Sequence, residues 1–134
     1  MRIRAKQGFR KLVTDEREHQ SITDNNEYLV LAIDNDDYRI LDDAGMPLLY
    51  PKAFFEVLDC SIPAGWQFRE YEDGEYHIGP ASTCSPGFYE DYFGSEGDHE
   101  AQVAAQKTIR DLLQRMLEDC DDAHRQLIER VLAR

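Results

Sequence analysis

Polar residues dominate the first 26 positions. The stretch "TDEREHQSITDNN" (14–26) reads as a loop, because Asp, Asn, Ser and Thr side chains compete for backbone hydrogen bonds. The pattern then changes. "EYLVLAI" (27–33) is rich in β-branched and aromatic residues, "DNDD" makes a turn, and "YRILDD" resumes with Tyr38, Ile40 and Leu41. "DDAG" (42–45) supplies a second turn in which Gly45 is free to take positive φ, and "MPLLY" makes a third strand. This is the signature of an antiparallel meander. "PKAFFEVLD" predicts a single helical turn and then a short strand. Alternation through Trp66, Phe68 and Tyr71, an "EDGE" turn on Asp73-Gly74, and Tyr76 and Ile78 predict another hairpin. Residues 80–86 read as loop.

From about His99 the period becomes helical. Val103, Ile109, Leu112, Leu113, Met116, Leu117 and Cys120 recur at steps of three and four, and Leu127, Ile128, Val131 and Leu132 continue the stripe. One helix over 100–132 would be about 50 Å long at 1.5 Å per residue. That exceeds a domain of this size, so two helices are expected, broken near Asp119 to Asp122, where an Asp is suited to cap the second. The fold class expected is α+β: a small antiparallel β-barrel or curved sheet followed by one or two C-terminal helices. A single domain is expected over residues 1–134, with an N-terminal arm and loop (1–26), a β-rich body (27–98) and a helical section (99–134). At this length roughly two-thirds of the unfolded chain's surface is buried on folding, so no metal or disulfide staple is required.

Charge narrows the partners. The formal net charge is −12, and it is uneven: residues 20–100 hold eighteen acidic and three basic side chains, a local charge of −15. Such an excess serves solubility or a partner, and it opposes nucleic acid and anionic membranes, which need Lys and Arg against phosphate. A basic protein is the electrostatic match. Cys60, Cys84 and Cys120 are scattered with no CxxC, which reads as reduced thiols in a cytoplasmic protein. No apolar run reaches the roughly 18 residues of a membrane span. "MRIRAKQGFRKLV" lacks the apolar centre of a secretory signal.

Candidate chemistry is thin. Glu90 and Asp91 are adjacent, so they diverge on a helix and on a strand and do not converge on one substrate. Glu70, Glu72 and Glu75 read as a surface acid ladder. His77 with Cys84 is the one nucleophile and base pair worth weighing, for a small hydrolase or ligand-binding domain, although no Cys-His protease signature surrounds it. Cys120 and His124 stand at i, i+4, but two ligands do not close a zinc site. "DNDDYRILDD" fails the calcium-loop pattern because Tyr38 and Arg39 occupy positions five and six. The phosphate-cradle, dinucleotide and common hydrolase motifs are missing. No catalytic residue, metal or cofactor is therefore expected.

Surface recognition remains. Aromatics and acids interleave from Trp66 to Phe93, and protein interfaces rest on a few aromatic anchors with complementary charge. Trp66, Phe68, Phe88 and Phe93 are assigned mainly to the core. Tyr71, Glu72, Asp73, Glu75, Tyr89, Glu90, Asp91 and Tyr92 are expected to face outward and bind the partner.

Two resemblances follow from these residues. "EYLVLAIDNDDYRILDDAGMPLLYPKAFFEVLD" resembles the small bacterial Src-homology-type β-barrel, in which a strand, an acidic turn, a "YRI.DD.G" strand and a "YPK..FE" closure recur. "WQFREYEDGEYHIGPASTCSPGFYEDYF" resembles small acidic immunity proteins encoded beside polymorphic or contact-dependent bacterial toxins. The second resemblance implies a non-enzymatic inhibitor that binds a cognate basic toxin domain, a nuclease being a frequent one. The barrel resemblance does not account for the C-terminal helices, whose stripe packs on the barrel or makes a homodimer.

Overall fold

The computed structural model describes residues 1–12, 21–119 and, beyond these, 125, 126, 128 and 129. An antiparallel open sheet carries the molecule. Its strands are β1 (Arg2–Ala5), β2 (Glu27–Asp34), β3 (Asp37–Leu41), β4 (Pro47–Pro51), β5 (Phe55–Asp59), β6 (Trp66–Glu70) and β7 (Tyr76–Pro80). The main path runs β4-β3-β2-β1-β5, while β7 pairs with both β2 and β6. The predicted meander is β2 to β4, and the single turn before the next strand is a 3-10 turn at Lys52–Phe54 leading into β5.

The central strand explains both cores. Tyr28 and Val30 face one cluster with Ile3, Phe9, Ile22, Ile40, Tyr50, Phe54 and Phe55. Leu29 and Leu31 face the other, with Leu41, Tyr89, Ile109, Leu113 and Ile128. A strand buried on both faces must read as a continuous apolar run rather than an alternating one, and "EYLVLAI" does. Between Val30 and Ala32 the register against β3 slips by one residue. This bulge reverses the parity of everything after it. Ile33 accordingly joins Tyr28 and Val30 in the first cluster rather than Leu29 and Leu31 in the second.

Two expectations are corrected at the N-terminus and in the 80s. The arm expected over residues 1–26 contributes β1, which sits between β2 and β5. Ile3 and Ala5 point inward, while Arg2 reaches Glu27 at 3.0 Å and Arg4 reaches Glu56 at 2.6 Å on the flanking strands. The basic N-terminus thus meets acids of the body at close range. The aromatic stretch near residue 90 forms a short helix, α1 (Phe88–Phe93), flanked by Gly87 and Gly94 in left-handed backbone. Gly94 and Ser95 donate to the Asp91 and Glu90 carbonyls at 3.0 and 2.9 Å, closing the C-terminal end.

The second helix, α2 (His99–Asp119), starts where predicted, with Asp98 Oδ1 accepting from the Ala101 N–H at 3.0 Å. Its buried face is Ala105, Ile109, Leu112 and Leu113, packed on α1 and the sheet; Val103, assigned to the stripe, is exposed. The break expected at Asp119 to Asp122, and Leu127, Val131 and Leu132, lie outside the described residues save for Asp119, which ends α2. Ile128 is fully buried in the second cluster. No helix among the described residues is long and apolar enough to cross a membrane.

Candidate functional site

Two regions carry the side chains singled out in the sequence. The first is the β6–β7 hairpin. Among the described residues strand β6 pairs only with β7, and every one of its residues after Trp66 is exposed. Trp66 is half-buried and Phe68 is 63% exposed, so the assignment of Phe68 to the core is corrected: an edge strand beyond β7 has no layer behind it to cover the ring. Phe68 instead stacks on Tyr76 across the hairpin, with ring centroids 5.9 Å apart. Tyr71, Glu72, Asp73 and Glu75 surround the turn and are exposed. The Asp73 carboxylate accepts from the Glu75 N–H at 3.0 Å, and Tyr71 N–H donates to the Glu75 carbonyl at 2.7 Å, which closes the "EDGE" turn over Gly74. The hairpin is tied down at its turn end by Asn35, whose side chain accepts from the Tyr76 N–H and whose carbonyl accepts from the Tyr76 hydroxyl.

The second region is a cavity of about 150 Å³ between the sheet and α1, lined by Asp34, Arg39, Tyr71, His77, Cys84, Tyr89 and Glu90 among others. Asp34 and His77 pair across β2 and β7. Nδ1 of His77 lies 2.5 Å from Asp34 Oδ1, a carboxylate that orients the ring and leaves Nε2 as its other polar atom. That Nε2 is buried and has no hydrogen-bond partner among the described residues. Arg39, on the face of β3 that meets the helices, donates from Nη1 to the Pro47 carbonyl at 2.8 Å and holds Nε 3.9 Å from Asp34 Oδ2. Burial draws its guanidinium below the usual arginine range, against the opposing pull of Tyr89, Asp34 and Glu90.

Tyr89 corrects the expectation of an outward-facing ring, being only 8% exposed. It lies under the Arg39 guanidinium, whose carbon is 3.6 Å from the ring centroid. Burial pushes its hydroxyl up to about 12, with Arg39 opposing. The Thr83 hydroxyl, which donates to the Pro80 carbonyl at 3.2 Å, also hydrogen-bonds the Tyr89 hydroxyl and opposes the rise in its pKa. Glu90 is exposed, while Asp91 and Tyr92 are half-buried, with Tyr92 packed on the second core cluster. Phe88 and Phe93 are half-buried against the same cluster. Tyr89, Tyr92 and Phe93 stand at i, i+3 and i+4, the helical spacing that would have disclosed this packing.

Cys84 shares the cavity with His77, but its chemistry runs opposite to that of a nucleophile. Its Sγ donates to the Gly79 carbonyl at 3.4 Å, and burial raises its pKa where an attacking thiolate needs it lowered. Among the described residues no group of three or more His, Cys, Asp or Glu is placed to hold a metal ion. The acidic turn rejected as a calcium loop is structural: the Asp42 carboxylate accepts from the Ala44 and Met46 N–H groups and from the Tyr50 hydroxyl. No family model, curated protein or solved structure matches the chain.

Proposed function

We propose that this chain is a non-enzymatic binding protein that neutralises a basic protein partner, as an immunity protein neutralises its cognate toxin domain. The observation that carries this reading is the exposed outer strand and turn of the β6–β7 hairpin. It presents an exposed Phe68 stacked on Tyr76, beside Glu70, Tyr71, Glu72, Asp73 and Glu75. An exposed aromatic ringed by carboxylates supplies the two things a specific interface needs, an apolar anchor and complementary charge for steering. Tyr71 and Glu90 border one cavity, so the hairpin tip and the acidic face of α1 adjoin.

Other features support the reading. The stripe of α2 packs on the sheet, which leaves the hairpin rather than the helices as the open surface. Free thiols at Cys60 and Cys84 fit a reducing cytoplasm.

The test is co-expression with the product of the neighbouring gene. A co-purifying complex and rescue of growth are expected, with Glu72→Lys, Asp73→Lys and Glu75→Lys together abolishing rescue. Absence of both complex and rescue overturns the proposal.

A further inference from the structure

Among the described residues three strands pair on one side only: β4, β5 and β6. Two of these edges are blunted. Strand β4 begins and ends with Pro47 and Pro51, which have no N–H to offer another chain, and the register of β5 against β1 slips between Arg2 and Ile3. Strand β6 has neither device. Trp66 to Glu70 match Pro80 to Tyr76 one for one, with no proline in the strand and no slip.

The direction of its free backbone groups follows from the bonds around it. Tyr71 N–H donates to the Glu75 carbonyl, so Tyr71 turns its backbone into the hairpin, and Arg69 and Gln67, two and four residues back, do the same. On β7, Tyr76 gives its N–H to the Asn35 side chain and takes the Asn35 N–H on its carbonyl, which leaves the alternate residue His77 to pair with Arg69. The N–H and C=O groups of Phe68 and Glu70 are therefore turned out from the hairpin, and both residues are exposed. Trp66 shares their parity but spends its N–H on the Pro63 carbonyl at 3.3 Å, which ends the open run.

Side chains select what fits this edge. Phe68 and Glu70 share a face with Trp66 and Tyr76, so a strand laid alongside meets an apolar ring and then a carboxylate. Beyond them the turn adds Glu72, Asp73 and Glu75. Arg69, the one cation of the strand, lies on the other face and gives Nη1 to the Cys84 carbonyl at 3.2 Å. A second copy of this chain is opposed by its net charge of −12, whereas a basic chain is drawn in.

We propose that β6 captures an extended basic segment of the protein partner as an added strand. Its backbone pairs with Phe68 and Glu70, an apolar side chain covers the Phe68 ring, and Lys or Arg meets Glu70 and the turn. This mode of capture rests on the reading of the chain as a binder of a basic protein and goes beyond it, because main-chain pairing holds the partner in addition to aromatic and charged contacts.

The probe is the capped peptide Lys-Thr-Val-Thr-Lys-Thr-Val-Thr-Lys, which places Val and Lys on one face of a strand. It is titrated into the full chain and followed by amide resonances. Saturable shifts at the Phe68 and Glu70 N–H groups are expected. The fully N-methylated peptide, which keeps side chains and charge but has no N–H, binds at least about tenfold more weakly. Glu70→Pro removes an outward N–H that the hairpin does not use, while Glu70→Gln removes the same charge and keeps that N–H. Glu70→Pro weakens the peptide at least about tenfold, and Glu70→Gln no more than about threefold. No saturable shift at these two amides, equal binding of the N-methylated peptide, or Glu70→Pro binding as well as Glu70→Gln overturns the inference. Should Glu70→Pro lose the native resonances of the hairpin, the N-methylated peptide alone decides. In the co-expression assay, full rescue by Glu70→Pro overturns edge capture and leaves the binding reading standing. Peptide capture with neither complex nor rescue upholds edge capture and overturns that reading.

Discussion

The guanidinium carbon of Arg39 stands 3.6 Å from the centroid of the Tyr89 ring, and through this stack the third strand grips the first helix. Arg39 is held to the Pro47 carbonyl, so the ring rests on a fixed plane. Such a desolvated contact is worth up to about 2 kcal/mol. Arg39→Lys loses the planar stack, and Tyr89→Leu loses the π face. A double-mutant cycle in urea denaturation is expected to give a coupling of about 1–2 kcal/mol. Tyr89→Phe keeps the face and loses only the hydroxyl's contact with Thr83, so it stays within about 1 kcal/mol of the parent. A coupling near zero removes the stack as a source of stability.

Asp42 makes the turn between β3 and β4 a clamp. Its three accepted hydrogen bonds come from two turn N–H groups and from Tyr50, whose hydroxyl in turn accepts from the Ser21 N–H. Asp43 extends the clamp, accepting from the Tyr28 and Thr23 hydroxyls at 2.7 and 2.8 Å. Asp42→Ala strands three donors at a buried position, each costing about 1 kcal/mol or more. A loss of about 3 kcal/mol or more in chemical denaturation is expected, against less than about 1 kcal/mol for the exposed Asp73→Ala.

The same tyrosines set the alkaline limit of the fold. Burial, reinforced by the Asp43 hydrogen bond, pushes Tyr28 up to about 12; Tyr89 reaches about 12, and Tyr50 and Tyr92 are raised by burial. A folded value above the unfolded value of about 10 means the neutral hydroxyl is what the fold stabilises. That stabilisation is complete below about pH 10 and is lost as pH rises through the folded values near 12. Denaturation midpoints should therefore fall steadily above about pH 10, and tyrosinate absorbance from these rings should appear together with unfolding. Full ionisation of all seven tyrosines in a chain that stays folded contradicts this.

Much of the sheet was legible because β2 to β7 announce themselves by β-branched runs and turn residues. β1 was not, since Arg2 and Arg4 interleave with Ile3 and Ala5 over only four residues, and the charges mask an alternation that Glu27 and Glu56 make intelligible once the strands are paired. In α1 the adjacent acids Glu90 and Asp91 mask the i, i+3, i+4 spacing of Tyr89, Tyr92 and Phe93. Phe68 was misplaced because alternation tells which residues share a face, not whether another layer covers that face. His77 and Cys84 do line one cavity, but the residue that orients the ring is not near either in sequence. Its orienting partner, Asp34, is 43 residues away, and only the register of β2 against β7 brings the two together.

Steering by charge has a kinetic signature. If the acidic hairpin recruits a basic partner, the association rate should fall steeply as salt rises, because screening acts over about 8–10 Å at moderate ionic strength. Glu72→Gln with Glu75→Gln should lower the association rate several-fold and flatten its salt dependence, leaving dissociation nearly unchanged. Phe68→Ala should do the reverse, raising the dissociation rate tenfold or more if the ring is an anchor. Stopped-flow mixing or surface binding with the partner recovered by co-expression separates the two, and identical effects from both variants would count against the division of labour.

Gly79 tests how tightly the wall behind the cavity is built. A methyl group there would lie 2.9 Å from His77 Nε2 and 3.2 Å from the Ala32 Cβ. Its backbone is not in the left-handed region, so the effect of a side chain is steric alone. His77 has little freedom to retreat, being buried and tied to Asp34 through Nδ1. Gly79→Ala should therefore destabilise the fold by about 1–3 kcal/mol, the usual range for an overpacked core. Removing the obstructing ring makes room for the added methyl. The double variant Gly79→Ala, His77→Ala should lose less than the sum of its single variants by about 1 kcal/mol in urea denaturation, since the two sites touch. Strict additivity would mean that the methyl group is accommodated by the Ala32 side of the wall and that the His77 ring is free to move.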